Sequence, residues 1–361
     1  MGIYSPPVPS ETPPAPAPRR RALRAVGYVV YLLVLFEIGA RLYWAFGHGV
    51  PLTAESKDWY AQYFPGLRDS QITEATLGDD DGHFDVLLLG GSVLDNLHTN
   101  HAETFREALS EAVGQPVRLY DLAYPAHTMR DSLLKHRLVR DRPVDLVVVY
   151  HAINDTRMNN CSAEMFRDDY SHAAWYHEIS RMEAHAALLP YLVLPFTLEH
   201  AVIQLLGAKW FEFYVRRHRP NEAMTRFGGE VKTAEPFGAN LAEIVEATGR
   251  TKTPVLVMTF DWYEPADYSL EAFQAGTLDY DSHSHATEIW GEPAHIVAGV
   301  RAHNDVLRSY ATGAPDHVIY LDLEPVVPDG RAYWNDICHF NDAGERLWLG
   351  AMVDAVKAAT R

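Results

Sequence analysis

In FDVLLLGGSVLDN, residues 84–96, an apolar run ends in two glycines and a serine. Between Asp85 and Gly90 the run has no polar side chain, which is typical of a strand buried on both faces of a parallel sheet. Gly90 and Gly91 permit a tight turn, and Ser92 follows where open α/β sheets bind ligands. By itself this short motif favours a serine that caps a helix, so a nucleophilic role depends on distant residues.

Four more apolar runs predict strands, and helical patterns separate them. This alternation implies right-handed crossovers and a parallel sheet. We therefore predict an α/β fold with a flavodoxin-like, doubly wound, five-stranded parallel sheet. The predicted strands are residues 84–90, 117–122, 145–150, 255–260 and 317–323, and the predicted helices are residues 102–113 with Asn100 as cap, 131–140, 238–248, 294–311 and 341–359.

Residues 157–235 interrupt this alternation, because they are too many for a crossover and carry a helical pattern rich in His, Trp, Tyr and Phe. We interpret them as a helical insertion in a domain that covers residues 84–361. Its apolar runs are too short and too interrupted by proline to span a membrane. We expect an ordinary satellite core there, with packing as a lid or against a bilayer as the alternatives.

The composition supports one large domain with additions. The chain has 361 residues, of which 47% are hydrophobic and 22% charged, so it can bury a sizeable core. Its formal net charge of -17 argues against nucleic acid as a partner and indicates an acidic, solvated surface.

The amino-terminal segment predicts a membrane anchor. Residues 1–24 are rich in proline and arginine, and we expect a disordered tail. Residues 25–46 are apolar apart from Glu37 and Arg41, which is long enough for a transmembrane helix, and residues 47–83 then form a connector. Because arginines precede the apolar segment, we expect a cytoplasmic amino terminus, a single span in the cell membrane, and everything after residue 50 outside the cytoplasm.

Two alternatives to this anchor remain open. A cleaved signal peptide is the main rival, although the apolar region continues through Trp44 and no convincing small-x-small site follows it. Alternatively, residues 25–36 span part of the way and residues 37–46 lie at the interface. Glu37 and Arg41 are four residues apart, so they pair on one helix face or contact another membrane protein.

A second motif, DICHFND, follows the fifth predicted strand and places Asp336 three residues before His339. A serine hydroxyl attacks an acyl carbon when a base removes its proton, and a carboxylate orients that base. Because the carboxyl ends of parallel strands converge, Ser92, His339 and Asp336 are expected to meet there. They are candidates for nucleophile, base and orienting acid.

Two more loops reach the same edge of the sheet, DLAYPAHT at residues 121–128 and HAINDTR at residues 151–157. An acyl-transfer site needs donors for a developing oxyanion, and backbone amides and an Asn side chain are suitable. The candidates are the Ser92 N–H, the Ala126 N–H and the Asn154 amide. Taken singly, Asn154 is more often a turn residue that bonds local backbone.

With these motifs in order, the sequence resembles the SGNH, or GDSL-type, hydrolases over most of residues 84–356 outside the insertion. The blocks that carry the resemblance are GGSV, DLAYPAHT, HAIND and DICH. The resemblance implies Ser92 as nucleophile, His339 as base and Asp336 as its acid, with Ala126 and Asn154 in the oxyanion hole. It also implies an esterase that works through an acyl-enzyme on an ester-bearing lipid or acylated carbohydrate, without a metal or organic cofactor.

Three positions depart from the family pattern. Gly91 stands where the family usually has Asp, Ala126 where it has the oxyanion Gly, and Ala152 where the third block begins with Gly. An alanine amide still donates, but the substitution adds strain if that backbone needs a positive φ. The related α/β-hydrolase fold is disfavoured, because its G-x-S-x-G motif needs glycine where Leu94 stands.

Two alternative functions remain open, and the departures around the oxyanion hole suggest the second of them. One is an O-acyltransferase of the same fold, in which a hydroxyl of a cell-surface polysaccharide replaces water. The other is a non-catalytic carbohydrate-binding component. Separately, Asp281, His283 and His285 are possible metal ligands, but a solvated loop is the favoured interpretation of their stretch.

Cys161 and Cys338 are the two cysteines of the chain. The predicted fold brings both to the carboxyl edge of the sheet, and in an oxidising compartment such neighbours form a disulfide. The alternative is two buried free thiols.

Overall fold

A five-stranded parallel sheet organises the part of the chain that the computed structural model describes, residues 18–73, 75, 77, 82–95, 102–210 and 220–360. The five predicted strands are present, although the last two end about two residues early. The strands are β1 (Phe84–Gly90), β2 (Val117–Asp121), β3 (Leu146–Tyr150), β4 (Val255–Met258) and β5 (Val318–Leu321). Their order across the sheet, β2-β1-β3-β4-β5, confirms the predicted flavodoxin-like, doubly wound arrangement.

Helices cover the sheet and extend beyond it. The predicted helices match five of them, which are α4 (Ala102–Val113), α5 (Met129–Val139), α9 (Ala234–Thr251), α11 (Pro293–Arg308) and α12 (Asp342–Ala359). The proposed cap Asn100 lies outside the described residues. The helices are α1 (Pro18–His48), α2 (Ser56–Ala61), α3 (Gly66–Asp69), α4 (Ala102–Val113), α5 (Met129–Val139), α6 (Ile153–Thr156), α7 (Ala174–His185), α8 (Leu194–Trp210), α9 (Ala234–Thr251), α10 (Leu270–Gln274), α11 (Pro293–Arg308) and α12 (Asp342–Ala359).

The core lies on both faces of the sheet. Successive side chains of a strand point to opposite faces, so Leu87 and Leu89 join one apolar cluster and Val86 and Leu88 join the other. Helices α5 and α9 contact each other beside the first cluster, and α4 and α12 contact each other beside the second. Burial on both faces explains why β1 is an unbroken apolar run, since each buried side chain contributes about 1.5–3 kcal/mol.

The insertion belongs to the main core, which corrects the expectation of a satellite core. Buried Tyr176, Ile179 and Met182 of α7 lie in the same apolar cluster as Leu87 and Leu89 of β1. The physical reason is that α7 carries one buried face towards the domain, and this face extends the cluster beyond the sheet.

Helix α1 starts at Pro18 rather than at residue 25, so residues 18–24 are helical and do not belong to a disordered tail. Proline is favoured in the first turn of a helix, and arginine is a good helix former. Within the described residues, one helix, Arg21–His48, is long and apolar enough to cross a membrane, a criterion that signal sequences also meet. Ala40 and Trp44, near its carboxyl end, are buried in the main core.

We expect Leu89→Ala to lower the free energy of unfolding by about 2–5 kcal/mol, because it removes a fully buried side chain and leaves a cavity. The matched control is Leu347→Ala on α12, where the leucine is 41% exposed and the expected change stays within about 0.5 kcal/mol. Urea unfolding of the detergent-solubilised protein, followed by circular dichroism, measures both. Equal losses for the two variants would contradict the proposed core.

Candidate active site

The carboxyl edge of the sheet brings Ser92 to His339. β1 ends at Gly90, and a turn follows in which the Leu94 and Asp95 amides donate to the Gly91 carbonyl. This turn leaves Ser92 half-buried, with its Oγ 2.8 Å from Nε2 of His339, within hydrogen-bond distance. The serine is therefore positioned to give its proton to an imidazole that comes from 247 residues further along the chain.

Asp336 orients the other side of the same imidazole. His339 Nδ1 lies 2.9 Å from each oxygen of the Asp336 carboxylate, which is fully buried. The backbone amides of Cys338 and His339 also donate to this carboxylate, at 3.0 and 2.9 Å, so the loop folds around it. Burial by itself raises the pKa of Asp336, but the His339 charge and the hydrogen bonds hold it well below its usual range.

Sequence analysis missed His285 as a partner of this carboxylate. Its Nδ1 lies 3.1 Å from Oδ2 of Asp336, and its ring centroid lies 4.9 Å from that of His339. The hydrogen bond that His285 donates to Asp336 raises the pKa of His285, against the opposing effect of burial. The sequence offers His285 only as a possible metal ligand in a stretch that is interpreted as a solvated loop, because nothing in the sequence links residue 285 to residue 336.

The two histidines and Asp336 also have the spacing of a metal site. Among the described residues, their ligand atoms lie within 4.8 Å of one another. Hydrogen bonds between these same atoms already account for their closeness, so a metal is not needed to explain the group. Asp281 and His283, which the sequence offered with His285 as possible metal ligands, are not part of this group.

The loop after β2 is attached to the turn that carries the serine. The Tyr124 amide donates to the Gly90 carbonyl at 3.2 Å, and two residues later Ala126 has φ 64°. This positive φ is the conformation for which glycine is favoured, so the alanine adds strain of about 1–2 kcal/mol. The expectation that Ala126 is strained if its φ is positive is thus confirmed.

Asn154 lies against the same turn. It sits in α6 after β3, and its Nδ2 donates to the His127 carbonyl at 2.9 Å while its Oδ1 accepts from Trp290 at 2.9 Å. A Cβ on Gly91 would lie 2.7 Å from that Nδ2. A side chain at position 91 would therefore collide with the amide of Asn154.

A buried carboxyl, Asp155, holds these loops together from beneath. Its oxygens accept from the Met129 amide at 3.0 Å and from the Tyr170 hydroxyl at 3.0 Å. Burial raises its pKa to about 8, partly offset by these hydrogen bonds. The carboxyl thereby links the loop after β3 to the first turn of α5 and to the insertion.

The predicted disulfide does not form, and both cysteines are buried free thiols. Cys161 Sγ donates to the Met158 carbonyl at 3.6 Å, while Cys338 Sγ lies 3.5 Å from His339 Nδ1. Each thiol thus has its own local partner. Burial raises the pKa of Cys161 to about 11 and that of Cys338 well above its usual value, so both are poor nucleophiles.

A cleft elsewhere, between the end of α1 and α2, is lined by none of the predicted site residues. Its polar lining includes His48, Lys57, Asp58 and Arg68. The chemistry of Ser92 is therefore not located in that cleft.

Solved structures with a similar course of the chain include a putative acylhydrolase from Bacteroides fragilis NCTC 9343 (13% identity, 81% of this chain and 94% of that chain, TM-score 0.41). A GDSL-like lipase from Bacteroides thetaiotaomicron VPI-5482 matches with 13% identity, 82% and 98% coverage and TM-score 0.40. An acetylxylan esterase from Geobacillus stearothermophilus matches with 11% identity, 75% and 93% coverage and TM-score 0.39. The chain matches no protein-family model and no sequence among the curated proteins. These TM-scores lie below 0.5, so the similarity to these structures carries no conclusion about the reaction of this chain.

We expect His285→Ala to slow the labelling of Ser92 by a fluorophosphonate. Without His285 the Asp336 carboxylate loses one of its donors, so it is held less firmly against Nδ1 of His339. His285→Gln retains a neutral donor and is expected to slow the labelling less. The measurement is the rate of labelling of the wild type and the two variants at one fixed pH. Equal rates in all three proteins would show that His285 does not position the base.

Proposed function

We propose that this protein is an SGNH-type serine esterase in which Ser92, His339 and Asp336 form the catalytic triad. The observation that carries the proposal is the continuous hydrogen-bonded path from Ser92 Oγ through both ring nitrogens of His339 to the buried carboxylate. The flavodoxin-like strand order and the four sequence blocks, which follow one another in the order of the family, support it further.

In the proposed first half-reaction, Ser92 Oγ bonds to the carbonyl carbon of an ester while its proton passes to His339 Nε2. The resulting imidazolium is stabilised by Asp336, which stays ionised because the charge of His339 and the hydrogen bonds hold the pKa of Asp336 low. When the tetrahedral intermediate collapses, the carbon–oxygen bond of the leaving alcohol breaks and His339 returns the proton to that oxygen. An acyl group remains on Ser92, and water releases it by the same steps.

The oxyanion donors in this proposal are the amides of Ser92 and Ala126 and the side chain of Asn154. One N–H of Asn154 is used by the His127 carbonyl, which fixes the plane of the amide and leaves its second N–H as the proposed donor. Trp290 fixes the same amide from its oxygen. A donor held from both sides needs no reorganisation as negative charge develops, which is the condition for effective oxyanion stabilisation.

The substrate class in this proposal is an ester of a lipid or of an acylated carbohydrate. An O-acyltransferase would share the acyl-enzyme and differ in the hydroxyl that accepts the acyl group. Product analysis with a graded series of p-nitrophenyl esters, with and without an added polysaccharide, separates hydrolysis from transfer. Hydrolysis that stays the main product at all acceptor concentrations supports the esterase.

We further propose that α1 is an uncleaved membrane anchor and that the catalytic domain lies outside the cytoplasm. The arginines at the start of α1 and its long apolar stretch support a span with the amino terminus inside. Burial of Ala40 and Trp44 in the domain supports retention of the helix, because cleavage after them would remove part of the core.

Ser92→Ala and His339→Ala are each expected to lower kcat by about 10⁴-fold or more, because the triad acts as one unit. Asp336→Asn is expected to be comparably severe or somewhat milder. The measurement is hydrolysis of a short-chain p-nitrophenyl ester by the full chain in detergent. Ser92→Ala activity within about tenfold of the wild type would refute the assignment.

Fluorophosphonate labelling followed by peptide mass spectrometry provides the control for fold and function together. Modification is expected on Ser92 and to be lost in Ser92→Ala, while both proteins keep the same circular dichroism spectrum. A folded wild-type protein that does not react would favour the non-catalytic alternative.

For the anchor, we expect the mature protein to retain residues 21–48 and to sediment with membranes after washing with carbonate. Mass spectrometry of the intact protein and amino-terminal sequencing measure this. A mature amino terminus after residue 40 would show that α1 is a cleaved signal sequence.

A further inference from the structure

Helix α1 is bound to the insertion through a carboxylate that caps another helix. Both oxygens of Glu37 accept from the backbone amides at the start of α8, at 3.0 Å from Val193 and 2.9 Å from Leu194. Arg41 donates to Glu37 at 2.8 Å and to the Pro190 carbonyl at 3.3 Å. The predicted pairing of Glu37 with Arg41 is confirmed, and both charges are used within the chain.

The contacts continue along both helices in the same direction. Trp44 is buried, donates to Thr197 at 2.8 Å and stacks on Phe196 with a centroid distance of 5.2 Å. Further along, the rings of His48 and His200 are 5.9 Å apart. The first turns of α8 therefore run beside the carboxyl end of α1.

Apolar side chains remain exposed on and just before α8. Tyr191 is 81% exposed and Leu198 is 58% exposed. Leu205 is also more exposed than Leu198, while Leu188, Leu192 and Val202 are less exposed than Leu198. We call this set the insertion's apolar face, and it consists of Leu188, Tyr191, Leu192, Leu198, Val202 and Leu205.

The depth of Glu37 in a membrane decides what covers this face. A hydrocarbon layer of about 30 Å is spanned by about 20 helical residues at about 1.5 Å each. Counted from Arg24, such a layer ends near Tyr43 and Trp44. Of these two, Tyr43 is exposed, and tyrosine is typical of the membrane interface. Glu37 precedes Trp44 by about two helical turns, so it lies about 10 Å inside the hydrocarbon.

We infer that the insertion's apolar face enters the outer leaflet of the bilayer beside α1 from Leu188 to Leu198. Val202 and Leu205 follow Thr197 and His200, which lie beside Trp44 and His48, so they lie beyond the end of the hydrocarbon. This inference rests on the proposed membrane location of α1. Residues 188–194 are fixed at the depth of Glu37, so Leu188, Tyr191 and Leu192 contact acyl chains. The surface is continuous with the exposed apolar surface of α1, which supports lipid rather than a second protein as its occupant.

The hydrogen bonds around Glu37 provide the partners that polar groups need inside the hydrocarbon. In hydrocarbon an unpaired backbone N–H costs several kcal/mol, and a lone carboxylate is also unfavourable. Here the orphan amides of α8 and the Glu37 carboxylate satisfy one another, and Arg41 balances the charge. A polar site of this kind is thus compatible with a lipid environment.

The test uses the full chain in phosphatidylcholine nanodiscs with single cysteines at Tyr191 and Leu198, each labelled with a nitrobenzoxadiazole maleimide. Native Cys161 and Cys338 are buried, so the wild type controls for background labelling. Val34→Cys on α1 is the control for the span, and Leu347→Cys on α12 is the control for solvent. Nitroxide groups on the lipid acyl chains quench a label that lies among them.

We expect loss of emission at Tyr191→Cys, Leu198→Cys and Val34→Cys when nitroxide lipids are included, and unchanged emission at Leu347→Cys. If Val34→Cys is quenched while Tyr191→Cys and Leu198→Cys behave like Leu347→Cys, the insertion does not enter the bilayer and the inference is overturned. If Val34→Cys is not quenched either, the proposed membrane span itself fails. Labelling of Ser92 by the fluorophosphonate tests the esterase proposal separately.

Discussion

The arrangement of the site depends on one carboxylate that has no access to water. A buried charge of this kind is tolerated only with several donors, and Asp336 accepts from two backbone amides and two imidazoles. Satisfying it fixes three parts of the chain at once: the turn of residues 336–339, the ring of His339 and the stretch around His285. The position of His339 relative to Ser92 is therefore a consequence of how Asp336 is buried.

The second constraint is the small space between the loops after β1, β2 and β3. Asn154 reaches across to the His127 carbonyl and passes so close to Gly91 that a side chain would not fit. Ala126 holds a left-handed backbone conformation although it has a Cβ. Residues in such conformations persist when the surroundings over-determine them, and they cluster at functional sites. Gly91 and Ala126 are thus both constrained by the close packing of these loops around the serine.

Most of the sheet could be predicted, because β1 and β3 are buried on both faces and appear as unbroken apolar runs. The meeting of Ser92, Asp336 and His339 could be predicted as well, since the ends of parallel strands converge. His285 could not be, because its contact with Asp336 depends on the course of an irregular segment. The disulfide prediction was wrong for a related reason: strand topology brings loops to the same edge but does not set the direction of a side chain.

The bond between Glu37 and the start of α8 joins residues 156 positions apart in sequence. During synthesis α1 is complete long before residue 193 has been made. At that stage Glu37 can pair with Arg41 but not yet with the amides at the start of α8. The carboxylate thus begins with part of its final coordination and acquires the rest when the insertion folds back. Completion of the helix cap then becomes a late step of folding, because it has to await the synthesis of residues 193 and 194.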